Sequence, residues 1–262
     1  MMRILVAFAA AVLSGCASLS PDAPRADLAP SGKLRAAINF GNPVLASRDA
    51  AGQPQGVSVD LARELARRLG VPVQLIVFDA AGKVVDAGKT GGWDIAFVAV
   101  DPARSAEIAQ TAPYVQIEGA YLVRNESPLK SNDEIDRKGH RVVVGRNSAY
   151  DLYLTRALKQ AEIVRTPTSA MVVDTMLKEN YEVSAGVKQA LENDARRVPG
   201  VRLLPGRFMV INQAMASQRS KEAGARYVRE FIEEMKASGF VARALERHHI
   251  EGAAVAPAGD AK

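Results

Sequence analysis

Arg104 is the residue whose position in the sequence most directly suggests a chemical role. It follows an uninterrupted apolar run at residues 95–100 and the pair Asp101-Pro102. Such a run is typical of a parallel strand buried on both faces, and proline ends a strand because it has no N–H to donate. Ligands in open α/β sheets bind beyond the carboxyl ends of strands, where a guanidinium can hold a carboxylate through two hydrogen bonds. The pattern fits a carboxylate-binding arginine and a solvated surface arginine equally well.

The elements around this strand alternate in the manner of an α/β protein. Predicted strands at 34–38 and 73–78 flank a helix at 59–69, with Ser58 as its N-cap and Gly70 as its stop. The strand at 34–38 runs into the polar loop 39–43 at its carboxyl end. The first part of the chain therefore predicts a sheet with polar loops at one edge.

A second predicted strand-to-helix unit places Ser148 at the start of a helix. The strand spans 141–145 and the helix spans 150–160, with Asp151 three residues after Ser148. The Ser148 hydroxyl either only caps this helix or receives an anion together with the free amides there. Further strands are predicted at 183–187 and 208–216, followed by an amphipathic helix at 220–238.

The two ends of the chain are predicted to lie outside the folded part. Residues 1–16 have an Arg3 n-region and an apolar h-region too short to span a bilayer, and Leu13-Ser14-Gly15-Cys16 resembles a lipobox, which implies lipidation of Cys16. Residues 17–31 are predicted to be a flexible tether and residues 251–262 a disordered tail.

Composition and charge exclude several functional classes. The net charge of +5 is spread along the chain without basic blocks, which suits solubility or a small anionic ligand better than nucleic acid. His140, His248 and His249 lack metal-ligand spacing with the single cysteine or with carboxylates. No metal and no cofactor is therefore expected.

Several segments in order resemble the family 3 bacterial solute-binding proteins, the polar amino-acid class of receptors for ABC importers. The segments are Gly56-Val57-Ser58-Val59-Asp60-Leu61-Ala62, Trp93-Asp94-Ile95-Ala96, Asp101-Pro102-Ala103-Arg104, Ala112-Pro113-Tyr114 and Ser148. The resemblance implies a type II periplasmic-binding-protein-like fold, with two α/β lobes joined by two crossing strands around a ligand cleft. Lobe 1 would comprise residues 32–122 and 213–250, and lobe 2 residues 123–212.

The resemblance also implies a set of ligand-binding residues. Arg104 matches the arginine that holds the ligand's α-carboxylate, and Ser148 matches a hydroxyl residue that contacts it from lobe 2. Phe40 matches a position that tends to supply an aromatic lid. Ala99 matches a position that often offers polar contacts and supplies only backbone groups here, and Asn147 stands where glycine is common.

Two departures from the family pattern concern charge. Asp101 replaces the usual threonine three residues before Arg104, and Gln189 stands where amino-acid receptors carry the aspartate that pairs with the ligand's ammonium. A glutamine cannot neutralise an ammonium, and a buried unpaired charge is costly. Either Asp101 supplies the missing carboxylate, or the ligand is a carboxylate without an ammonium.

The resemblance implies a monomeric, lipid-anchored periplasmic receptor that closes on a small carboxylate-bearing solute and delivers it to an inner-membrane ABC permease. One alternative is a dehydratase on the same fold, with Glu192 as its acid, since a fold does not fix a function. Another is a ligand-presenting partner of a periplasmic sensor.

Overall fold

The structure is a computed structural model that describes residues 22–259. The predicted signal segment with Cys16, residues 17–21 of the predicted tether and residues 260–262 of the predicted tail lie outside the described residues. The strands are β1 Leu34–Asn39, β2 Ser47–Arg48, β3 Pro54–Gln55, β4 Val73–Phe78, β5 Ile95–Ala99, β6 Ile108–Arg124, β7 Arg141–Gly145, β8 Glu162–Thr166, β9 Val183–Val187, β10 Val201–Leu203, β11 Met209–Gln218 and β12 Ala254–Val255.

The helices predicted at 59–69, 150–160 and 220–238 are present as α2, α5 and α8 to within a few residues. Two short 3₁₀ turns, Asn132–Glu134 and Ser169–Met171, precede β7 and α6. The helices are α1 Asp22–Leu28, α2 Val57–Leu69, α3 Ala81–Lys89, α4 Pro102–Ser105, α5 Ala149–Ala157, α6 Val172–Lys178, α7 Lys188–Arg197, α8 Glu222–Ala237 and α9 Phe240–Arg247.

One mixed sheet runs through the molecule in the order β4-β1-β5-β11-β6-β9-β7-β8. β4, β1 and β5 are parallel, and we call them the first strand group. β9, β7 and β8 are also parallel, and they form the second strand group. Because every residue of β5 and β9 is buried, both read in the sequence as continuous small or apolar runs.

Two long antiparallel strands connect the groups. β11 pairs with β5 of the first group and with β6, and β6 pairs in turn with β9 of the second group through Gly119–Leu122. β6 is the longest of these strands and runs from Ile108 to Arg124. The register of β6 against β11 shifts where Pro113 pairs with Ala214, which is how a strand accommodates a proline.

The start of α2 differs from the predicted N-cap. Gly56, with φ 119°, is the N-cap residue, and Ser58 lies inside the helix. The Ser58 hydroxyl is buried and shares a hydrogen bond of 3.2 Å with the Tyr114 hydroxyl. Gly70 ends the helix in the left-handed conformation at φ 65°, as expected for a glycine stop.

Residues 22–28, assigned above to a flexible tether, instead form α1 against α8. Leu28 is fully buried, and the Asp27 carboxylate accepts a 3.0 Å hydrogen bond from the Gly224 amide near the start of α8. The tail also differs from the prediction, because β12 pairs with β6 and Ala256 is buried. Both segments are ordered by contacts with distant residues. In residues 22–259, no helix combines the length and apolar character needed to cross a membrane.

The burial of Leu28 predicts that α1 is an integral part of the fold. Leu28→Ala should lower the free energy of unfolding by about 2–5 kcal/mol, because it removes buried methyl groups and leaves a cavity. Chemical denaturation measures this loss. The exposed Arg25 on the same helix is the control, and Arg25→Ala should change stability by less than about 0.5 kcal/mol. Equal effects of the two variants would contradict the packing of α1.

Candidate functional site

Arg104 lies in α4, directly beyond the carboxyl end of β5. The Asp101 carboxylate caps this helix by accepting a 2.9 Å hydrogen bond from the Ala103 amide. The Arg104 side chain turns inward and the residue is only 3% exposed. Its guanidinium donates to the Ala99 carbonyl at 3.0 Å and to the Asn147 carbonyl at 2.7 Å. Arg104 therefore connects the first strand group to the loop after β7 in the second group.

The guanidinium of Arg104 has no carboxylate partner within salt-bridge distance among residues 22–259. Burial lowers its pKa to about 10, and the charge of nearby Asp101 offsets only part of this effect. Two of its five N–H groups donate to carbonyls, which leaves three without a protein acceptor in the described chain. An anion placed against these three would compensate a buried positive charge.

The start of α5 supplies further donors beside Arg104. Ser148 caps α5, as its spacing predicts, by accepting a 3.0 Å hydrogen bond from the Asp151 amide. As first-turn groups of α5, the amides of Ala149 and Tyr150 have no acceptor within the helix. Asn147 has φ 55°, a conformation that asparagine tolerates better than most residues, so it can occupy a position where glycine is common.

Arg104 and Ser148 line one cavity of about 30 Å³ between the two strand groups. The polar side chains around it also include Asn39, Asn42 and Gln213. Ligand pockets usually measure about 300–1,000 Å³. The two groups must therefore separate before this cavity can receive an organic molecule.

A second cavity of about 360 Å³ adjoins the first, and Gly41, Tyr150, Ser169 and Val187 line both. Phe40 lies at this larger cavity, with the Arg48 guanidinium 5.0 Å from its ring centre. Small and apolar residues of β9 and α7 form much of the opposite wall, namely Ala185, Gly186, Val187, Ala190 and Leu191. The cleft therefore has a small polar end and a larger end whose lining is mainly apolar, with the ion-paired Asp174, Asp194 and Arg197 also at the larger end.

Asp101 is buried, but it does not line either cavity. Its carboxylate forms an ion pair with Arg156 of α5, at 2.7 Å and 3.3 Å. Arg156 follows β7 in the chain, so this pair joins the two strand groups directly. The extra negative charge that the sequence places near Arg104 is thus neutralised by protein.

Gln189 and Glu192 lie apart from the cavity around Arg104. The Gln189 amide donates a 3.0 Å hydrogen bond to the Glu251 carbonyl. Gln189 and Glu192 line a cavity of about 400 Å³ near His249, which shares residues with the larger cavity but none with the cavity around Arg104. Ala99, Arg104 and Ser148 are brought together, and Phe40 lies at the adjoining apolar end. Asn147 reaches the site through its backbone carbonyl.

Sequence reasoning missed the polar residues Asn39, Asn42, Tyr150, Ser169 and Gln213 at this cavity. The available signal was the polar loop after β1, since the carboxyl ends of neighbouring parallel strands meet at one edge of a sheet. In residues 22–259, no group of three or more histidine, cysteine, aspartate or glutamate side chains could hold a metal ion.

The fold and the interdomain cleft are those of a two-lobed solute-binding protein. Residues 34–251 match the model of the bacterial extracellular solute-binding proteins, family 3, and the chain therefore belongs to this family. The resemblance described from the sequence and the α/β, periplasmic-binding-protein-like fold are both confirmed. Membership indicates a solute-binding role. A search of curated proteins returned no match.

Solved structures share this fold at low sequence identity. A mutant of ArgBP from T. maritima has a TM-score of 0.75 at 18% identity, over 87% of this chain and 100% of that one. The solute receptor for L-cysteine of Neisseria gonorrhoeae has a TM-score of 0.74 at 20% identity, over 85% of this chain and 92% of that one. The ancestral amino acid-binding protein AncCDT-1, a precursor of cyclohexadienyl dehydratase, has a TM-score of 0.72 at 19% identity, over 85% of this chain and 98% of that one.

We call the arrangement in this structure, with the two strand groups in contact across the small cavity, the closed arrangement. The Asp101–Arg156 ion pair predicts that contacts within the protein favour it without a ligand. Arg156→Gln should shift the balance towards open molecules by about 1 kcal/mol, or about fivefold, because it removes an ion pair between the strand groups. Small-angle X-ray scattering without ligand should show a larger radius of gyration. Lys138→Gln, at an exposed lysine outside the ion pairs of the described chain, should leave the radius unchanged. An unchanged radius in both variants would contradict this role of the pair.

Proposed function

We propose that this protein is the solute-binding component of an ABC import system and closes two lobes on a small carboxylate-bearing solute. The observation that carries the proposal is Arg104, a buried arginine with no carboxylate partner in the described chain. Leaving a cation in this state costs stability, which is offset when a ligand supplies the counter-charge. A carboxylate fits because a guanidinium can donate two parallel hydrogen bonds to it.

The donors around Arg104 support the same ligand group. The Ser148 hydroxyl accepts the Asp151 amide as a cap, which leaves its own hydrogen to donate. The amides of Ala149 and Tyr150 lie beside it at the positive end of α5. A carboxylate placed here would receive donors from Arg104 on one side of the cleft and from α5 on the other.

Closure of the cleft follows from this division of donors. We assign lobe 1 to residues 32–122 and 213–250 and lobe 2 to residues 123–212, with β6 and β11 as the connections that bend. Only the closed arrangement lets one carboxylate contact both lobes, so the solute stabilises that arrangement by its differential affinity. Exclusion of water then strengthens each polar contact.

The proposed setting of the protein is the periplasm, with lipidated Cys16 holding it at a membrane. An inner-membrane ABC permease would recognise the closed form and receive the solute, with the protein acting as a monomer. Family membership supports an extracellular solute-binding role. The lipobox-like segment of the sequence supports the anchor.

The position of Glu192 favours binding over catalysis. A dehydratase acid must lie within hydrogen-bond reach of the bound substrate. Glu192 instead lines the cavity near His249, which shares no residue with the cavity around Arg104 where the solute's carboxylate would bind. We therefore propose a receptor without enzymatic activity.

The proposal predicts opposite effects of Arg104→Leu on binding and on stability. Affinity for carboxylate solutes should fall at least about 100-fold, because charge-assisted hydrogen bonds are lost. The melting temperature without ligand should stay the same or rise, because a buried uncompensated charge is replaced by an apolar side chain. Isothermal calorimetry and thermal unfolding measure the two effects.

Arg104→Lys is the matched variant, since it keeps the positive charge but not the planar pair of donors. It should bind more weakly than the wild-type protein and more tightly than Arg104→Leu. If Arg104→Leu bound carboxylates as well as the wild type, the proposal would be refuted.

A further inference from the structure

We propose that the solute is a 2-hydroxycarboxylate with an apolar side chain and that Asn42 accepts the hydrogen bond of its 2-hydroxyl group. This inference rests on the proposed function and specifies its ligand class. It follows from an unpartnered amide oxygen in the cleft, from the distribution of carboxylates around the cleft, and from the apolar character of the adjoining cavity.

Asn42 carries the first part of the argument. The residue is 6% exposed and lines the same cavity as Arg104, and its Oδ1 accepts no hydrogen bond. Its backbone is held in place, because its carbonyl accepts hydrogen bonds from the amides of Leu45 and Ala46. Buried amide oxygens almost always have a donor, so an oxygen without one, on a residue that lines a ligand cavity, points to a donor on the ligand.

Among residues 22–259, the carboxylates that line the two cavities of the cleft, and those at the starts of α4 and α5, are engaged by arginines. Asp101 pairs with Arg156, and Asp151 pairs with Arg165 at 2.9 Å. At the larger cavity, Arg197 binds both Asp174 at 2.8 Å and Asp194 at 2.9 Å. Arg104 and Tyr150 are the ionisable residues that line the small cavity, and burial raises the pKa of Tyr150, which keeps it neutral.

This charge distribution disfavours an amino acid. The ammonium of an α-amino acid lies one carbon from the carboxylate, so it would enter the small cavity beside the cationic Arg104. It would meet the neutral amides of Asn39, Asn42 and Gln213 in place of a counter-charge. A hydroxyl on the same carbon carries no charge and needs only one acceptor, which Asn42 Oδ1 supplies.

The remainder of the solute would occupy the apolar end of the cleft. A substituent on the hydroxyl-bearing carbon leads away from the carboxylate, and the cavity of about 360 Å³ adjoins the small one. Phe40 and the small apolar residues of β9 form much of its walls, and the ion-paired Asp174, Asp194 and Arg197 lie at the same cavity. This volume suits a branched aliphatic or aromatic side chain.

The test uses four probes that share a phenyl group and differ only at the second carbon. They are 3-phenyllactate, phenylpyruvate, 3-phenylpropionate and phenylalanine, measured by isothermal calorimetry with the wild-type protein. We expect 3-phenyllactate to bind about 10- to 100-fold more tightly than each of the others. The keto acid and the plain acid leave Asn42 Oδ1 without a donor, and the amino acid brings an unpaired ammonium.

The nearly isosteric variant Asn42→Asp reverses the expected preference. It places a carboxylate where the ammonium would lie, so phenylalanine should gain at least tenfold in affinity and become the preferred probe. Asn125→Asp makes the same change at an exposed residue that lines none of the cavities described above, and it should leave the order of the probes as in the wild type. Circular dichroism and thermal unfolding check that each variant is folded.

The outcomes separate this inference from the function on which it rests. If phenylalanine bound to the wild type as tightly as 3-phenyllactate, the 2-hydroxycarboxylate assignment would be overturned. If that binding were lost in Arg104→Leu, the proposed function as a carboxylate receptor would still stand. An unchanged order of probes in Asn42→Asp would overturn the role of Asn42. Failure of all four probes, and of the corresponding three-carbon acids, would overturn the assignment and count against a carboxylate receptor as well.

Discussion

A buried guanidinium without an anionic partner is the constraint on which the rest of the cleft depends. Arg104 is held by the carbonyls of Ala99 and Asn147, which accept its hydrogen bonds but carry no net charge. A carboxylate in either position would neutralise the arginine, and an anionic ligand would then find no uncompensated charge to bind. The protein instead retains a cation that is oriented but not neutralised, and such a group binds an anion without first releasing another.

Other arginines around the cleft are arranged in the opposite way. Asp101 with Arg156 and Asp151 with Arg165 are pairs in which a nearly buried carboxylate meets a partly exposed arginine. These pairs fix α4 and α5, the two helices whose first turns face the cleft. Because their charges cancel, the field at the centre of the cleft is dominated by Arg104. The proposed preference for an anionic solute therefore rests on the pairing of its neighbours as much as on Arg104 itself.

The sequence predicted the features that depend on local order and missed those that depend on distant partners. The strand before Arg104 and the Ser148 cap are encoded within a few residues, and both appear in the structure. Asp101 could not be interpreted from the sequence, because its partner Arg156 is 55 residues away. The helix α1 was missed because Asp27 and Gly224 are 197 residues apart. Asn42 carries no motif, and its significance appears only when its oxygen is found without a donor.

The small size of the central cavity bears on how a ligand could be selected. A cleft that closes through contacts of its own, such as Asp101–Arg156, needs less of the ligand's binding free energy for closure, because some molecules are already closed before the ligand binds. The same closed cleft of about 30 Å³ excludes a solute until the groups separate. Binding therefore requires an opening step. Because the solute needs more volume than the small cavity offers, its contacts must stabilise the closed state by more than the enlargement of the cavity costs. In the proposed assignment, a carboxylate on Arg104 and a hydroxyl on Asn42 would contribute where buried groups of the protein lack partners, so these two positions would decide the choice of solute.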